Sequence, residues 1–306
     1  MKKYPSYLNL SKTRFLNRIR SAYYYLQSCR LCPHNCGVNR TIGHKGLCRS
    51  TEQLKISSYN AHFGEEPPIS GVCGSGTIFF TNCTLRCVYC QNYPISQLGH
   101  GNITSVSDLS KIMLDLQAQK CHNINLVTPT HFVPQIIKAV AQARESGLSI
   151  PLVYNTSGYE SLDVLKLLDG IIDIYLPDVK YAEDNIAIKY SKAENYFRVV
   201  KRALREMYRQ VGDLKVNKSG IAISGIIIRH LILPYDLSGT DIVLKWIAEN
   251  ISKASYISLM AQYFPAFQAS KYEEISRNIS RDEYDKAKES FYNYGLINGW
   301  IQEDNE

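Results

Sequence analysis

Six strand-like runs alternating with amphipathic helical segments predict an α/β fold whose parallel strands are joined by crossover helices. Three cysteines directly after the first run, and short polar motifs at the ends of later runs, predict a site at the carboxyl ends of those strands. A chain of 306 residues suits one barrel-like domain with an appendage better than two equal halves.

The expected strands cover 77–80, 124–127, 152–155, 171–176, 223–233 and 256–260. The helical patterns between them cover 108–120, 133–145, 161–168, 196–210 and 241–251. Ahead of this array, residues 10–27 place Phe15, Leu16, Ile19, Tyr23 and Leu26 on one helical face, an amphipathic helix that packs on the main domain. Next comes Cys29-Arg30-Leu31-Cys32-Pro33-His34-Asn35-Cys36, with Cys48 after Gly43 and Gly46. Four thiolates on a Gly-rich loop suit a second metal site, either zinc or a second iron–sulfur cluster, and His34 or His44 offers a substitute ligand. Residues 51–75 are expected to be a turn-rich approach in which Glu65 and Glu66, flanked by Pro67 and Pro68, form a solvated loop.

The first strand leads into Cys83, Cys87 and Cys90 at C-x3-C-x2-C spacing. Soft thiolates on one short loop match iron, and three ligands for a four-iron cluster leave one iron open for chemistry. Zinc is the rival, but it usually takes four ligands and no fourth lies nearby in sequence. Plain buried thiols are the third reading, against which stand the turn-forming Asn82 and the flanking Thr81 and Thr84.

With aromatic Tyr89 before the last cysteine, this loop resembles the signature of the radical S-adenosylmethionine (radical SAM) superfamily. The stretch from about Gly71 to about Pro265 resembles the branch of pyruvate formate-lyase activating enzyme. The resemblance implies an open (β/α)6 partial barrel over 73–265; the residues on either side read as a cysteine-rich extension over 1–72, which departs from the relatives, and a helical closure over 266–306. The resemblance also implies a [4Fe–4S] cluster on Cys83, Cys87 and Cys90, with S-adenosylmethionine bound at the open iron and cleaved to a radical that abstracts hydrogen from a substrate. By the same resemblance Tyr89 packs near the adenine, and the cofactor is bound by Asn155, Ser157, Asp178, Lys180 and Arg229. Relatives carry a Gly-Gly-Glu type motif where this chain has Thr128-Pro129-Thr130, so backbone carbonyls of Thr128 and Pro129 are the expected substitutes. Relatives also hold a monovalent cation with an aspartate at the position of Asn155, which leaves cation dependence open here. Tyr263 stands where relatives carry a cofactor-contacting histidine.

The residues themselves agree with those roles. Asp178 and Lys180 share one strand face, so an anion and a cation point together into the mouth. Arg229 lies within an apolar run and needs a buried anionic partner. Ser157 beside Gly158 offers a small hydrogen-bonding group. His131, at the end of the second strand, reads equally as a substrate contact or as a helix-terminal polar group.

The net charge of +7 is uneven: residues 1–51 hold ten Lys/Arg and no Asp or Glu. An ordinary solvated surface is the expected meaning, with nucleic-acid contact and a transit peptide as alternatives. No apolar run approaches a membrane span, and nine cysteines in metal-like spacings suit a reducing compartment, by default the cytoplasm. Expected partners are an electron donor such as flavodoxin or ferredoxin and, as protein substrate, a glycyl-radical enzyme. The alternatives are radical modification of a small molecule or RNA, or a non-catalytic iron–sulfur or zinc module.

Overall fold

The computed structural model describes residues 3–302. Its ten strands are β1 (Lys55–His62), β2 (Ser75–Phe80), β3 (Asn102–Ile103), β4 (Ile124–Val127), β5 (Leu152–Thr156), β6 (Ile174–Pro177), β7 (Lys215–Val216), β8 (Ala222–Leu231), β9 (Tyr256–Met260) and β10 (Gly299–Ile301). The sheet order is β10-β9-β8-β6-β5-β4-β2-β1-β3, with β7 beside β8. All neighbours from β2 to β10 along this path are parallel, whereas β1 runs antiparallel to β2 and β3. This is the expected α/β architecture with a mostly parallel sheet.

Period-2 alternation decides what each face does. Val153, Ile174, Leu176, Ala222 and Ile227 form one apolar cluster with Ile69. Asn155, Asp178 and Arg229 continue the same alternation toward the strand ends. The intervening Leu126, Tyr154, Tyr175, Ile226 and Ile228 join the large core that packs the helices. Apolar residues therefore fill the lower part of the inner face, and polar residues crown it.

The helices fall close to their expected places: Val106–Ala118, Val133–Glu145, Leu162–Leu168, Tyr196–Val211 and Thr240–Asn250. The N-terminal helix, Lys12–Gln27, is capped by Ser11 Oγ and packs on Val133–Glu145. Phe15, Ala22 and Leu26 are buried there, but Leu16 is exposed, because the contact stripe is narrower than the full apolar face.

Four features depart from the sequence reading. The expected turn-rich approach contains the eight-residue strand β1, whose register with β2 runs from Ile56↔Phe80 to His62↔Ser75. A helix at Asp184–Ser191 was not foreseen. Strand β6 begins at Ile174 rather than 171, since Ile171 and Ile172 finish the turn after the preceding helix. The tail is not purely helical: after Arg281–Asn293, β10 adds a parallel strand beside β9. Beyond β10, Gln302 is held, its side chain accepting from the Ala261 N–H at 3.0 Å. Residues 303–306 lie outside the described residues. No helix among the described residues is long and apolar enough to cross a membrane.

Candidate active site

The cluster loop leaves β2 and is pinned from the opposite side. Arg86 N–H donates to Ser191 O at 3.0 Å and Val88 N–H to Tyr190 O at 2.9 Å, tying it to the Asp184–Ser191 helix. The loop brings Cys83, Cys87, Cys90 and Tyr89 to one wall of a cavity. Thr128, Asn155, Ser157, Asp178, Lys180 and Arg229 face it from the ends of β4, β5, β6 and β8. Ten of the residues singled out for this site in the sequence are thus gathered.

Each of the three sulfurs has a polar neighbour. Leu85 N–H donates to Cys83 Sγ at 3.3 Å, Ser191 Oγ to Cys87 Sγ at 3.0 Å, and Ser96 Oγ lies 3.0 Å from Cys90 Sγ. Ser191 Oγ continues to Tyr181 OH at 2.6 Å, and Tyr181 OH to Tyr89 OH at 2.5 Å. Burial pushes the Cys87 thiol up to about 11, with the Lys180 charge as the main opposing influence. The donors at each sulfur and the nearby cation work against that burial, toward the thiolate that iron requires. Ser96 and Ser191 were missed because a lone serine carries no signal until the fold sets it beside a sulfur.

Across the cavity stands a charge network. Arg229 Nε donates to Asp178 Oδ1 at 2.7 Å, and its Nη2 to Asn155 Oδ1 at 2.5 Å. Lys180 Nζ donates to Asp178 Oδ2 at 2.6 Å. Burial works to raise Asp178, but the Arg229 and Lys180 charges outweigh it and hold the carboxyl below its usual range.

From beneath, Glu65 Oε2 comes within 3.6 Å of Arg229 Nη1 while its Oε1 accepts from Asn125 Nδ2 at 2.9 Å. The glutamate pair is therefore not a solvated loop. Segment 65–71 inserts below the strand ends, with Ile69 in the inner apolar cluster and Asn123 Nδ2 donating to Ile69 O at 2.8 Å. Glu66 is 2% exposed, and both acids lower the energy of the buried guanidinium. Burial raises Glu65 to about 7, against the Arg229 charge.

Backbone geometry fixes the same region. Thr128 takes φ 58°, a left-handed conformation costly for a β-branched residue, and its N–H donates to Asn155 O at 2.9 Å. Gly158, at φ 74°, admits the Asp178 carbonyl to 2.3 Å from where a β-carbon would stand, so no larger residue fits. Two expectations are corrected. His131 does not face the cavity: its Nε2 lies 2.8 Å from Thr81 O in a fully buried setting. Tyr263 is also buried, its OH donating to Ile275 O at 2.6 Å and its ring against Tyr89.

Just behind Thr128 and Asn155, Glu160 ties the ends of β4 and β5 together. It accepts from Thr130 Oγ1 at 2.6 Å, from Thr156 Oγ1, and from Tyr154 OH at 3.3 Å. Burial pushes its carboxyl up to about 7, the three hydroxyls pulling the other way. An unfolded glutamate titrates near ~4.3, so between that pH and 7 the folded chain keeps a proton the unfolded chain has lost. Its contribution is most favourable below ~4.3 and falls by roughly 3–4 kcal/mol as pH rises to about 7. Glu160→Gln has no such proton to lose. Denaturant titrations should show its stability rising relative to wild type by about that amount over this window; parallel pH profiles would contradict the assignment.

Residues 77–223 match the Radical SAM superfamily. The chain is also 30% identical over 289 residues to the uncharacterized protein MJ0674 of Methanocaldococcus jannaschii, covering 91% of this chain and 78% of that one. The chain belongs to the radical SAM superfamily. Its fold is similar to that of Streptococcus suis SuiB, crystallised with S-adenosylmethionine, at TM-score 0.50 and 11% identity. That likeness covers 74% of this chain and 49% of SuiB, so the chain spans about half of SuiB's length.

Membership of the radical SAM superfamily implies an enzyme with a [4Fe–4S] cluster and S-adenosylmethionine. The donor set fits both. Three sulfurs with hydrogen-bond donors suit an iron cluster, and Ser157 Oγ, buried at the cavity, has no hydrogen-bond partner among the described residues. An unpaired buried hydroxyl there is suited to a bound polar ligand.

Proposed function

We propose that Cys83, Cys87 and Cys90 hold the [4Fe–4S] cluster and that Thr128, Asn155, Ser157, Asp178, Lys180 and Arg229 seat S-adenosylmethionine beside it. The observation that carries this is the single cavity in which three donor-supplied sulfurs face a fixed guanidinium and an unpaired hydroxyl. Bound together, the cluster and S-adenosylmethionine supply reductive cleavage to a 5′-deoxyadenosyl radical.

The chain's own residues prepare for that chemistry. Asp178 and Asn155 aim the Arg229 guanidinium, whose planar fork suits a carboxylate. Lys180 places a second positive charge between Asp178 and the Cys87 sulfur. The interlocked Tyr89, Tyr181 and Tyr263 rings close the wall behind the loop against water.

For the substrate, the resemblance of about 71–265 to pyruvate formate-lyase activating enzyme supports the activating-enzyme reading: hydrogen abstraction from a glycine of a partner protein, with a flavodoxin or ferredoxin as electron donor. The test is anaerobic reconstitution with iron and sulfide, then dithionite and S-adenosylmethionine, assaying 5′-deoxyadenosine. Product is expected; a well-formed cluster giving none overturns the radical reading. Deuterium transfer into 5′-deoxyadenosine from glycine-labelled candidate partners then tests the substrate. Transfer from a small molecule or RNA instead removes the glycyl-radical reading.

A further inference from the structure

Residues 28–54 join the N-terminal helix to β1 and lie against the cluster loop. Their sole regular element is the short 3-10 turn Arg40–Ile42. Irregular stretches longer than about 12–15 residues are uncommon in compact domains, and such a backbone needs another kind of tether. Apart from its cysteines, the buried apolar side chains of this segment are Leu31 and Leu54. That is little to hold it.

The four cysteines converge instead. Cys29 N–H donates to Val38 O at 2.8 Å and Gly37 N–H returns to Cys29 O at 3.0 Å, which folds Cys36 back until its Sγ is 3.9 Å from the Cys29 carbonyl. Asn35 N–H closes on Cys32 O at 3.0 Å, making a tight turn between the second and third cysteines. Gly46 packs against that turn so closely that a β-carbon would stand 2.4 Å from Cys36 Sγ. The turn from Gly46 to Arg49 then delivers Cys48.

The segment also grips the cluster loop. His34 Nε2 lies 2.8 Å from Thr84 O, and Asn82 Nδ2 donates to Ser50 Oγ at 3.0 Å. Arg40, 1% exposed and 4.0 Å from Cys29 Sγ, donates to His131 O at 2.8 Å and Thr51 O at 2.6 Å. These contacts set the cysteine-rich segment directly against the loop that carries Cys83 and Cys87.

We propose that Cys29, Cys32, Cys36 and Cys48 bind a second metal centre, closed by four thiolates, which clamps the cluster loop in place. Four soft donors with no open position suit a structural zinc ion or an iron–sulfur cluster and exclude the oxygen-seeking cations. Among the described residues no three metal-binding side chains are already gathered tightly enough for one ion. The same is true of Cys83, Cys87 and Cys90, so in both groups the thiols draw together as metal binds. With zinc, or with a preformed iron–sulfur cluster, each of the four S–H groups gives its proton to solvent as its metal–sulfur bond forms, with no change of oxidation state.

The clamp rests on reading Cys83, Cys87 and Cys90 as the cluster ligands, and two full-length variants keep the two readings apart. The first replaces those three cysteines by alanine. Its bound metal reports the second centre whatever becomes of the first. About one zinc per chain, colourless, or about four irons with sulfide, brown, supports the centre and tells the two metals apart. A folded, metal-free chain overturns it. The second variant, Cys36→Ser/Cys48→Ser, leaves the cluster loop intact. It is expected to lose the second metal, to be cut several-fold faster by protease within 28–54, and to surrender its remaining iron to a chelator several-fold faster. Metal content equal to wild type overturns the centre; unchanged cutting and chelator rates overturn the clamp.

Discussion

Cys87→Ala is expected to give a folded chain that assembles no [4Fe–4S] cluster and makes no 5′-deoxyadenosine. Cys87 is the middle ligand of its loop, and with two thiolates left the iron cluster has too few anchors to persist. The fold should tolerate the change. Alanine removes one sulfur from a buried position beside Ser191, a loss of about 1 kcal/mol. Iron and sulfide analysis after anaerobic reconstitution, with product assay, decides the matter. Retained cleavage would remove Cys87 from the centre.

Arg229→Ala should have the largest effect on stability. The guanidinium sits among buried Glu66 and the mostly buried Asp178 and Glu65, and removing it leaves Lys180 to offset three carboxylates. Breaking a buried ion pair from one side typically costs about 3–5 kcal/mol, because the surviving charge is left without a partner. The sign of its pH dependence follows. In the variant the acids regain protons more readily, so its deficit relative to wild type should be smaller at pH 5 than at pH 8. Binding of S-adenosylmethionine should weaken by about 1.5–3 kcal/mol if a charged hydrogen bond to the ligand is lost, while iron content stays intact. Chemical denaturation at two pH values and equilibrium binding read these effects separately. Unchanged affinity would take Arg229 out of the cofactor site.

Much of this was legible from residues alone, for identifiable reasons. The parallel strands are short apolar runs buried on both faces, and the helices between them carry a 3.6-residue stripe, so each stood out by its own period. The cavity residues were legible because they punctuate those runs: Asn155, Asp178 and Arg229 occupy the inner-face positions where an apolar residue would otherwise continue. Strand β1 was not, because Lys55-Ile56-Ser57-Ser58-Tyr59-Asn60-Ala61-His62 lies beside β2 with its middle residues exposed and carries a polar sequence. The burial of Glu65 was hidden for a different reason: the charge that draws it inward is Arg229, far along the chain, and proline-flanked acids look like surface loops until that partner is placed. His131 misled in the opposite direction, since a histidine at a strand end has the right address but here turns its ring toward Thr81.

The sheet stays open, and an open sheet exposes two unpaired margins, each a template on which another chain can add a strand. Here the two are blunted differently. Strand β3 covers only Lys55 and Ile56 of β1, whose remaining residues are mostly polar and whose middle ones are exposed, and β10 presents three residues at the other margin. Without β10, the outermost strand would be the five-residue β9, Tyr256-Ile257-Ser258-Leu259-Met260, whose last four side chains are buried. A long, apolar, unprotected margin of that kind invites aggregation. The short strand Gly299-Trp300-Ile301 therefore guards the sheet against recruiting its neighbours.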